Sequence, residues 1–280
     1  MSVDRKRIEE MVRAALVAEL GGEGAAAREL DSGGALLIAP DRGVNLGTAQ
    51  DPAAMKAMLA ATPARVAVGR TGSRYRTNTM LRFRADHAAA KDAVMSEVDP
   101  ELLKRLGIFE VMTQAPDKRV FLARPDLGRV LSDAARGTIL AQCQKAPQLQ
   151  VIYGDGLSAA ALNQHLETFH GALMRELAAR AIRVGTPFFV RHSRVKVMDE
   201  IARELDAEAA LFTCGERPGL GFADSMSAYY IYKPPAGASD ADREVVSNIN
   251  PRGLDPVRAA ATVADSCVRI LRAKKSGVVL

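Results

Sequence analysis

The stretch LQVIYGDGLSAAALNQHLETFHGALMRELAARA, residues 149–181, decides the fold of this chain. Its first five residues form a short apolar run that is typical of a buried strand, and its last part predicts a long helix. Between them, GDGLSA matches G-x-G-x-x-A, in which glycines close a tight strand-to-helix turn. A strand that leads directly into a helix is the building unit of an α/β sheet.

The alternation of strands and helices continues on both sides of this unit. Further strands are predicted at IFEVMTQ, KRVFLA, VGTPFFV, AEAALFT and SAYYIYK, the last of which we expect to be the final strand. The pattern predicts an α/β fold, a Rossmann-like, doubly wound and mostly parallel sheet over residues 108–280. Residues 64–107 are expected to be mainly helical, apart from ARVAV at 64–68, which is predicted as a short strand or an extended segment. Residues 1–63 are expected to form an amphipathic helix at 4–20 and a flexible linker.

Composition indicates an ordinary soluble protein. The chain has 280 residues, 48% of them hydrophobic and 25% charged, with a net charge of +5. Three distant cysteines without a C-x-x-C motif support neither a disulfide framework nor a zinc site and favour a reducing compartment. The apolar runs are too short to span a membrane, and the charged N-terminus lacks the apolar region of a secretory signal.

Three polar turns follow predicted strands: GDGLSA at 154–159, RHSRVK at 191–196 and GERPGLG at 215–221. The carboxyl ends of parallel strands meet at one edge of a sheet, and ligands bind there in open α/β folds. We therefore expect these three turns to lie together. The third turn, with a Glu-Arg pair, a proline and three glycines, suggests that backbone and a carboxylate approach a ligand.

Two other functions are compatible with parts of the sequence. GDGLSA is a degenerate dinucleotide fingerprint, and because the next strand ends in Arg191 and His192, it would suit NADP better than NAD. The segment from Gly69 to Arg84 carries five arginines with Tyr75 and Phe83 between them, as in a nucleic-acid-binding or scaffold protein.

The four histidines show no metal-binding motif and are expected on exposed helix surfaces. No nucleophile or acid/base pair is evident.

The turns and their flanking segments resemble one family, the small (light) subunit of ethanolamine ammonia-lyase. The resemblance covers roughly residues 64–277 and is carried by RTNTMLRFRADHAAAKDAV, LARPDLGR, GDGLS, VGTPFFVR, SRVKVMDEI, GERPGLG, SAYYIY and SNINPRG, in that order. The pairing of SRVKVMDEI with GERPGLG is its most specific part.

The resemblance implies a cofactor and a partner. In this family the small subunit helps to hold adenosylcobalamin (coenzyme B12) against a large (heavy) subunit, which binds ethanolamine. A radical reaction then yields acetaldehyde and ammonia. By this resemblance residues 64–107 dock the large subunit, and the enzyme is cytoplasmic, within a bacterial microcompartment. The resemblance implies neither a nucleic acid nor a membrane partner.

Motif matching places the cobalamin contacts of this chain on Val195, Glu216 and Val245, with Arg194 as a further candidate. No catalytic residue and no metal ligand is assigned, because the substrate site is expected on the large subunit. The sequence departs from the family at Val245, where a cysteine is common, and at His192-Ser193, where the family often has tyrosine and glycine.

Overall fold

The computed structural model describes residues 49–62 and 64–278. The helix predicted at 4–20 and the linker that follows it lie outside these residues. Eight α-helices, two short 3-10 helices (Leu127–Arg129 and Asp240–Asp242) and eight strands occur in the described part of the chain. The helices are α1 Pro52–Ala61, α2 Thr77–Met95, α3 Pro100–Arg105, α4 Lys118–Ala123, α5 Asp133–Gln142, α6 Ala159–Ala179, α7 Val197–Glu204 and α8 Pro256–Ala273. The strands are β1 Arg70–Thr71, β2 Arg74–Tyr75, β3 Phe109–Met112, β4 Leu149–Gly154, β5 Phe188–Arg191, β6 Ala209–Gly215, β7 Met226–Tyr232 and β8 Glu244–Ile249.

A six-stranded mixed sheet organises the fold. Its strand order is β3-β5-β4-β6-β7-β8. The first four strands are parallel, whereas β7 and β8 pair antiparallel with their neighbours. The prediction of a mostly parallel α/β sheet is therefore confirmed. The short strands β1 and β2 form a separate antiparallel hairpin.

Helices cover both faces of this sheet because successive strand residues alternate between two apolar clusters. On the first face, α6 and α8 pack over Val151, Leu211 and Tyr230. On the second face, α5 and α7 pack over Ile152 and Phe212. Strand β4 is buried at every position, as expected for a central strand covered on both faces.

Several local predictions were wrong. KRVFLA was predicted as a strand but forms α4, which begins after Asp117, whose carboxylate accepts the Val120 N–H at 2.9 Å. Strand β8 was missed because Ile249 is its single fully buried residue. ARVAV at 64–68 forms no regular element, and helix α1 was not predicted. Among the described residues, no helix combines the length and apolar character needed to cross a membrane.

Candidate functional site

The three polar turns meet at the carboxyl edge of the parallel strands, as predicted. The Ser193 N–H, after β5, donates to Asp155 Oδ1, after β4, at 2.9 Å. The Leu157 N–H donates to the carbonyl of Gly215, the last residue of β6, at 3.0 Å. The central strand β4 thus holds the turns from both of its neighbours.

The glycines at this edge serve close packing within the chain. Gly156 has a φ of 54°, and a Cβ there would overlap the Gly215 carbonyl. A Cβ on Gly215 would overlap the backbone of Ser158. The expectation that Gly215 clears space for a ligand was therefore wrong: its missing side chain lets the β4–α6 turn pack on β6. Gly219 and Gly221 lie farther along the loop, in more open surroundings.

The start of α6 is closed by protein groups. Ser158 Oγ accepts the Ala161 N–H at 3.3 Å and donates to the Ala223 carbonyl at 2.5 Å. Residues 158–162 are all buried. A dinucleotide site needs free N–H groups of the turn and first helical residues facing its pyrophosphate. This geometry argues against the NADP hypothesis.

A buried polar network lies at the same edge. Asp155 is fully buried, and its Oδ2 accepts Lys118 Nζ at 3.1 Å. The His192 Nδ1 atom lies 3.1 Å from the Ala115 carbonyl, and its Nε2 atom 3.5 Å from Glu97 Oε1. His192 is only 4% exposed. The prediction of exposed helical histidines was wrong for His192, which follows a strand, and for His165, which is only 8% exposed on α6.

Glu97, Asp155 and His192 also form a histidine–carboxylate group that the sequence analysis did not anticipate. One ligand atom of each lies within 4.8 Å of the others, close enough for a metal ion. However, Lys118 already bonds Asp155, and Arg191 bonds Glu97 Oε2 at 2.6 Å. Because these cations neutralise both carboxylates, we interpret the group as an internal network that orders the edge.

Glu216 is anchored by one of its two carboxylate oxygens. Oε1 accepts the Ser227 hydroxyl of β7 and, at 2.8 Å, the Asn248 N–H of β8. The residue is half-buried. Within the described part of the chain no group bonds Oε2. The side chain therefore ties β6 to both antiparallel strands and keeps one oxygen available.

Val195 and Val245 border the second face of the sheet, the one that α5 and α7 cover. Val195 is half-buried against the apolar cluster of that face. Val245 lies opposite Tyr229 in the β7–β8 pairing, and its side chain is 48% exposed. Since Tyr229 also packs against this cluster, an accessible apolar patch extends from α7 towards β8.

Arg194 is held beside this patch. Its N–H donates to the Gly128 carbonyl at 2.7 Å, and its guanidinium carbon lies 4.2 Å from the Phe121 ring centroid. Burial lowers the pKa of Arg194, and the positive charges of Arg129 and Arg217 lower it further. Asp155 opposes this effect. The guanidinium is thus partly desolvated among other cations.

Arg252 fixes the loop between β6 and β7. It donates to Asp224 Oδ1 at 2.7 Å and to the Gly221 carbonyl at 3.1 Å, and it stacks 4.5 Å above Phe222. His165 lies 3.4 Å from the other oxygen of Asp224. Through Arg252, the SNINPRG segment therefore holds the GERPGLG segment in place.

A cavity of about 580 Å³ lies beside the start of α7, next to Arg129 and Lys196. It is also lined by Asp126, Glu200 and Glu204, so its charge is mixed. None of the four predicted cofactor contacts lines it. The structure thus brings Val195, Glu216, Val245 and Arg194 to one side of the sheet, outside this cavity.

Sequence reasoning missed the residues that surround these four positions. Ser227 and Tyr229 of β7 lie on the second face, and alternation within SAYYIYK was the available signal. Arg129 and Arg217 were missed because their approach to Arg194 depends on how three separate turns pack. No local pattern encodes that packing.

Comparison with known proteins gives a consistent result. The family model described as "Ethanolamine ammonia-lyase light chain (EutC)" matches residues 52–280. The ethanolamine ammonia-lyase small subunit of Clostridium acetobutylicum is 44% identical over 223 residues, which are 80% of this chain and 92% of that protein. The matched family region includes every helix and strand described above.

Proposed function

Because the chain belongs to the ethanolamine ammonia-lyase light-chain family, we propose that it is the small subunit of an ammonia-lyase that converts ethanolamine to acetaldehyde and ammonia. The observation that carries this proposal is the family match over residues 52–280. We propose further that the chain binds adenosylcobalamin together with a large subunit. The α/β region would then be a Rossmann-like cobalamin-binding domain.

The chemistry of the site fits such a cofactor. A corrin ring is broad and is rimmed by neutral amides, which need hydrogen-bond acceptors and apolar support. Glu216 Oε2 is an unoccupied acceptor, and Val245 and Val195 offer accessible apolar surface nearby. The Nε atom of Arg194 is buried without a hydrogen-bond partner. These features support Val195, Glu216, Val245 and Arg194 as the cofactor contacts.

Bound adenosylcobalamin would supply the radical chemistry. This chain's residues would orient the corrin and exclude water from one side of it. We assign no catalytic residue to the chain, since the substrate contacts are proposed to lie on the large subunit. The enzyme would work in the cytoplasm, within a bacterial microcompartment. The helix predicted at 4–20 would not be needed for turnover, and a chain that starts near Ala64 would keep full activity with the large subunit.

Co-expression with a candidate large subunit tests this function directly. We expect the two chains to co-purify, to bind adenosylcobalamin and to release ammonia from ethanolamine only when both chains and the cofactor are present. Omitting the small subunit is the control. Ammonia release without this chain, or a complex that binds no cobalamin, would contradict the proposal.

The region around α2 has the properties of a docking surface for the large subunit. Although α2 is 19 residues long, it buries only Asp86, Ala90 and Ala93. Large apolar side chains are instead exposed in and around it: Met58, Tyr75, Met80, Leu81, Phe83 and Met95. A helix with apolar residues on several sides is normally buried in a larger assembly.

Arginines surround these apolar side chains. Arg70, Arg74 and Arg76 form no ion pair within the described residues, although Arg70 stacks over Tyr75 at 4.6 Å. Positive charge around an apolar surface suits an acidic protein rim. The mixture of exposed apolar and basic groups favours a protein partner over a nucleic acid.

Reversing the charge of Arg70, Arg74 and Arg76 together is expected to weaken subunit association by more than about tenfold, because like charges across an interface cost several kcal/mol. Analytical ultracentrifugation at two salt concentrations measures the effect, which should shrink as salt rises. The matched control reverses Arg175, Arg258 and Arg272, which are exposed on α6 and α8. Equal loss in both variants, or tight DNA binding by the wild type, would refute the docking assignment.

A further inference from the structure

Arg194 has hydrogen-bonding capacity that the chain does not use. Its side chain is positioned by the Phe121 ring and by a long contact of 3.4 Å from Nη2 to the Phe121 carbonyl. The Nε atom is buried and has no hydrogen-bond partner. A buried guanidinium donor without a partner costs free energy, and a bound ligand would remove that cost.

Two further arginines lie near this guanidinium. Arg129 follows Gly128, whose carbonyl accepts the Arg194 N–H at 2.7 Å. Arg217 follows Glu216 at the end of β6, and both Arg129 and Arg217 are exposed. Within residues 49–62 and 64–278, none of the three arginines forms an ion pair. The group therefore presents positive charge from three separate turns.

Most acidic groups nearby are already bonded to other partners: Asp126 and Glu200, which line the cavity beside Arg129, pair with Arg124 and Arg136. Asp155 acts on Arg194, but it is fully buried and already bonds Lys118 and the Ser193 N–H. Burial is the main cause of the lowered pKa of Arg194, and the charges of Arg129 and Arg217 lower it further; a bound anion would relieve that repulsion. Arginine guanidinium groups are well suited to bind the oxygens of a phosphate group.

We infer that Arg194, with Arg129 and Arg217, binds a phosphodiester, and, resting on the proposed function, that this group belongs to the nucleotide tail of cobalamin. The amide-rimmed corrin offers no anion to these arginines, whereas the tail carries one. Sequence adjacency supports the placement, since Arg194 precedes Val195 and Arg217 follows Glu216. Val195, Val245 and Glu216 would then contact the corrin, and the three arginines would contact the nucleotide tail.

Cobinamide provides a direct test because it keeps the corrin and its amides but lacks the nucleotide tail and its phosphodiester. Dissociation constants of cobalamin and cobinamide are measured by equilibrium dialysis on the assembled complex. Arg194→Ala should raise the dissociation constant of cobalamin by about 10- to 150-fold, equivalent to about 1.5–3 kcal/mol for a charged hydrogen bond. The dissociation constant of cobinamide should not change.

Three further variants make the result specific. Arg129→Ala and Arg217→Ala should each weaken cobalamin selectively, by less than Arg194→Ala, because both side chains are exposed. If Arg194→Ala is unstable because it loses the Phe121 contact, the Arg129→Ala and Arg217→Ala variants still test the inference. Arg203→Ala is the control, since Arg203 is an exposed arginine of α7 outside this group. Its cobalamin affinity should equal that of the wild type.

The outcomes separate this inference from the proposed function. Equal loss of affinity for cobalamin and cobinamide would place the arginines against the corrin and overturn the inference. Unchanged affinities together with weaker subunit association would make them docking residues and also overturn it. If the wild-type complex binds neither compound, the proposed function itself is wrong.

Discussion

Replacing Glu216 by alanine is expected to raise the dissociation constant of cobalamin for the assembled complex by about 10- to 150-fold. The estimate follows from the loss of a charge-assisted hydrogen bond worth roughly 1.5–3 kcal/mol. We expect Oε2 to accept this hydrogen bond from a corrin amide, because Oε1 already accepts from Ser227 and Asn248. Ethanolamine affinity should stay the same, since we place the substrate on the large subunit. Equilibrium dialysis and steady-state kinetics measure the two quantities.

The same substitution should also destabilise the chain, because it leaves the buried Ser227 hydroxyl without its acceptor. A buried group deprived of its partner costs about 1–3 kcal/mol. Ser227→Ala is therefore the matched control: it removes the internal bond and leaves the carboxylate in place. We expect Ser227→Ala to retain most of the cobalamin affinity. If it loses as much affinity as Glu216→Ala, then Glu216 only orders its own strands.

Asp199→Ala is expected to lower the free energy of unfolding by about 3 kcal/mol, the low end for breaking a buried pair, because it removes the buried counter-ion of Arg243 and leaves only the exposed Asp240. Asp199 of α7 pairs with Arg243, which precedes β8, and each side chain is only 3% exposed. Burial raises the pKa of Asp199 although Arg243 opposes the shift. The attraction to Arg243 therefore does not fully offset the cost of burying the Asp199 carboxylate. Urea unfolding of the purified chain measures the change.

A double variant separates the pair from its individual charges. Asp199→Leu combined with Arg243→Met removes both charges while keeping volume, and we expect it to regain most of the lost stability. The ion pair joins the segments that carry Val195 and Val245. The cobalamin affinity of the double variant therefore shows whether the pair also positions these two residues. A double variant as unstable as Asp199→Ala would mean that packing at this position matters more than charge.

The sequence predicted those elements whose local pattern agrees with their burial. LQVIY and AALFT lie in fully buried strands, and their mostly apolar runs identify them. KRVFLA also looks apolar, but it forms a helix. The Asp117 carboxylate caps the first turn of this helix, and Phe121 is its single fully buried apolar residue. Strand β8 has too few buried residues to be recognised, because it lies at the edge of the sheet.

The candidate site was predictable in position but not in detail. Parallel strands bring GDGLSA, RHSRVK and GERPGLG together at one edge, and the order of the motifs identified the family. The roles of the glycines were not predictable, since Gly215 packs against Ser158, a residue distant in sequence. The burial of His192 and the anchoring of Glu216 likewise depend on contacts between segments far apart in the chain.

The strand order has a consequence for how the protein is made. Strand β3 has β5 as its one partner in the described sheet, yet β4 and all of α6 lie between them in the chain. During translation β3 leaves the ribosome first and cannot join the sheet until Phe188–Arg191 has followed. Over that interval Val111 and the unpaired edge of β3 remain exposed in the nascent chain. The need for chaperones should therefore be greatest while residues 113–191 are being synthesised.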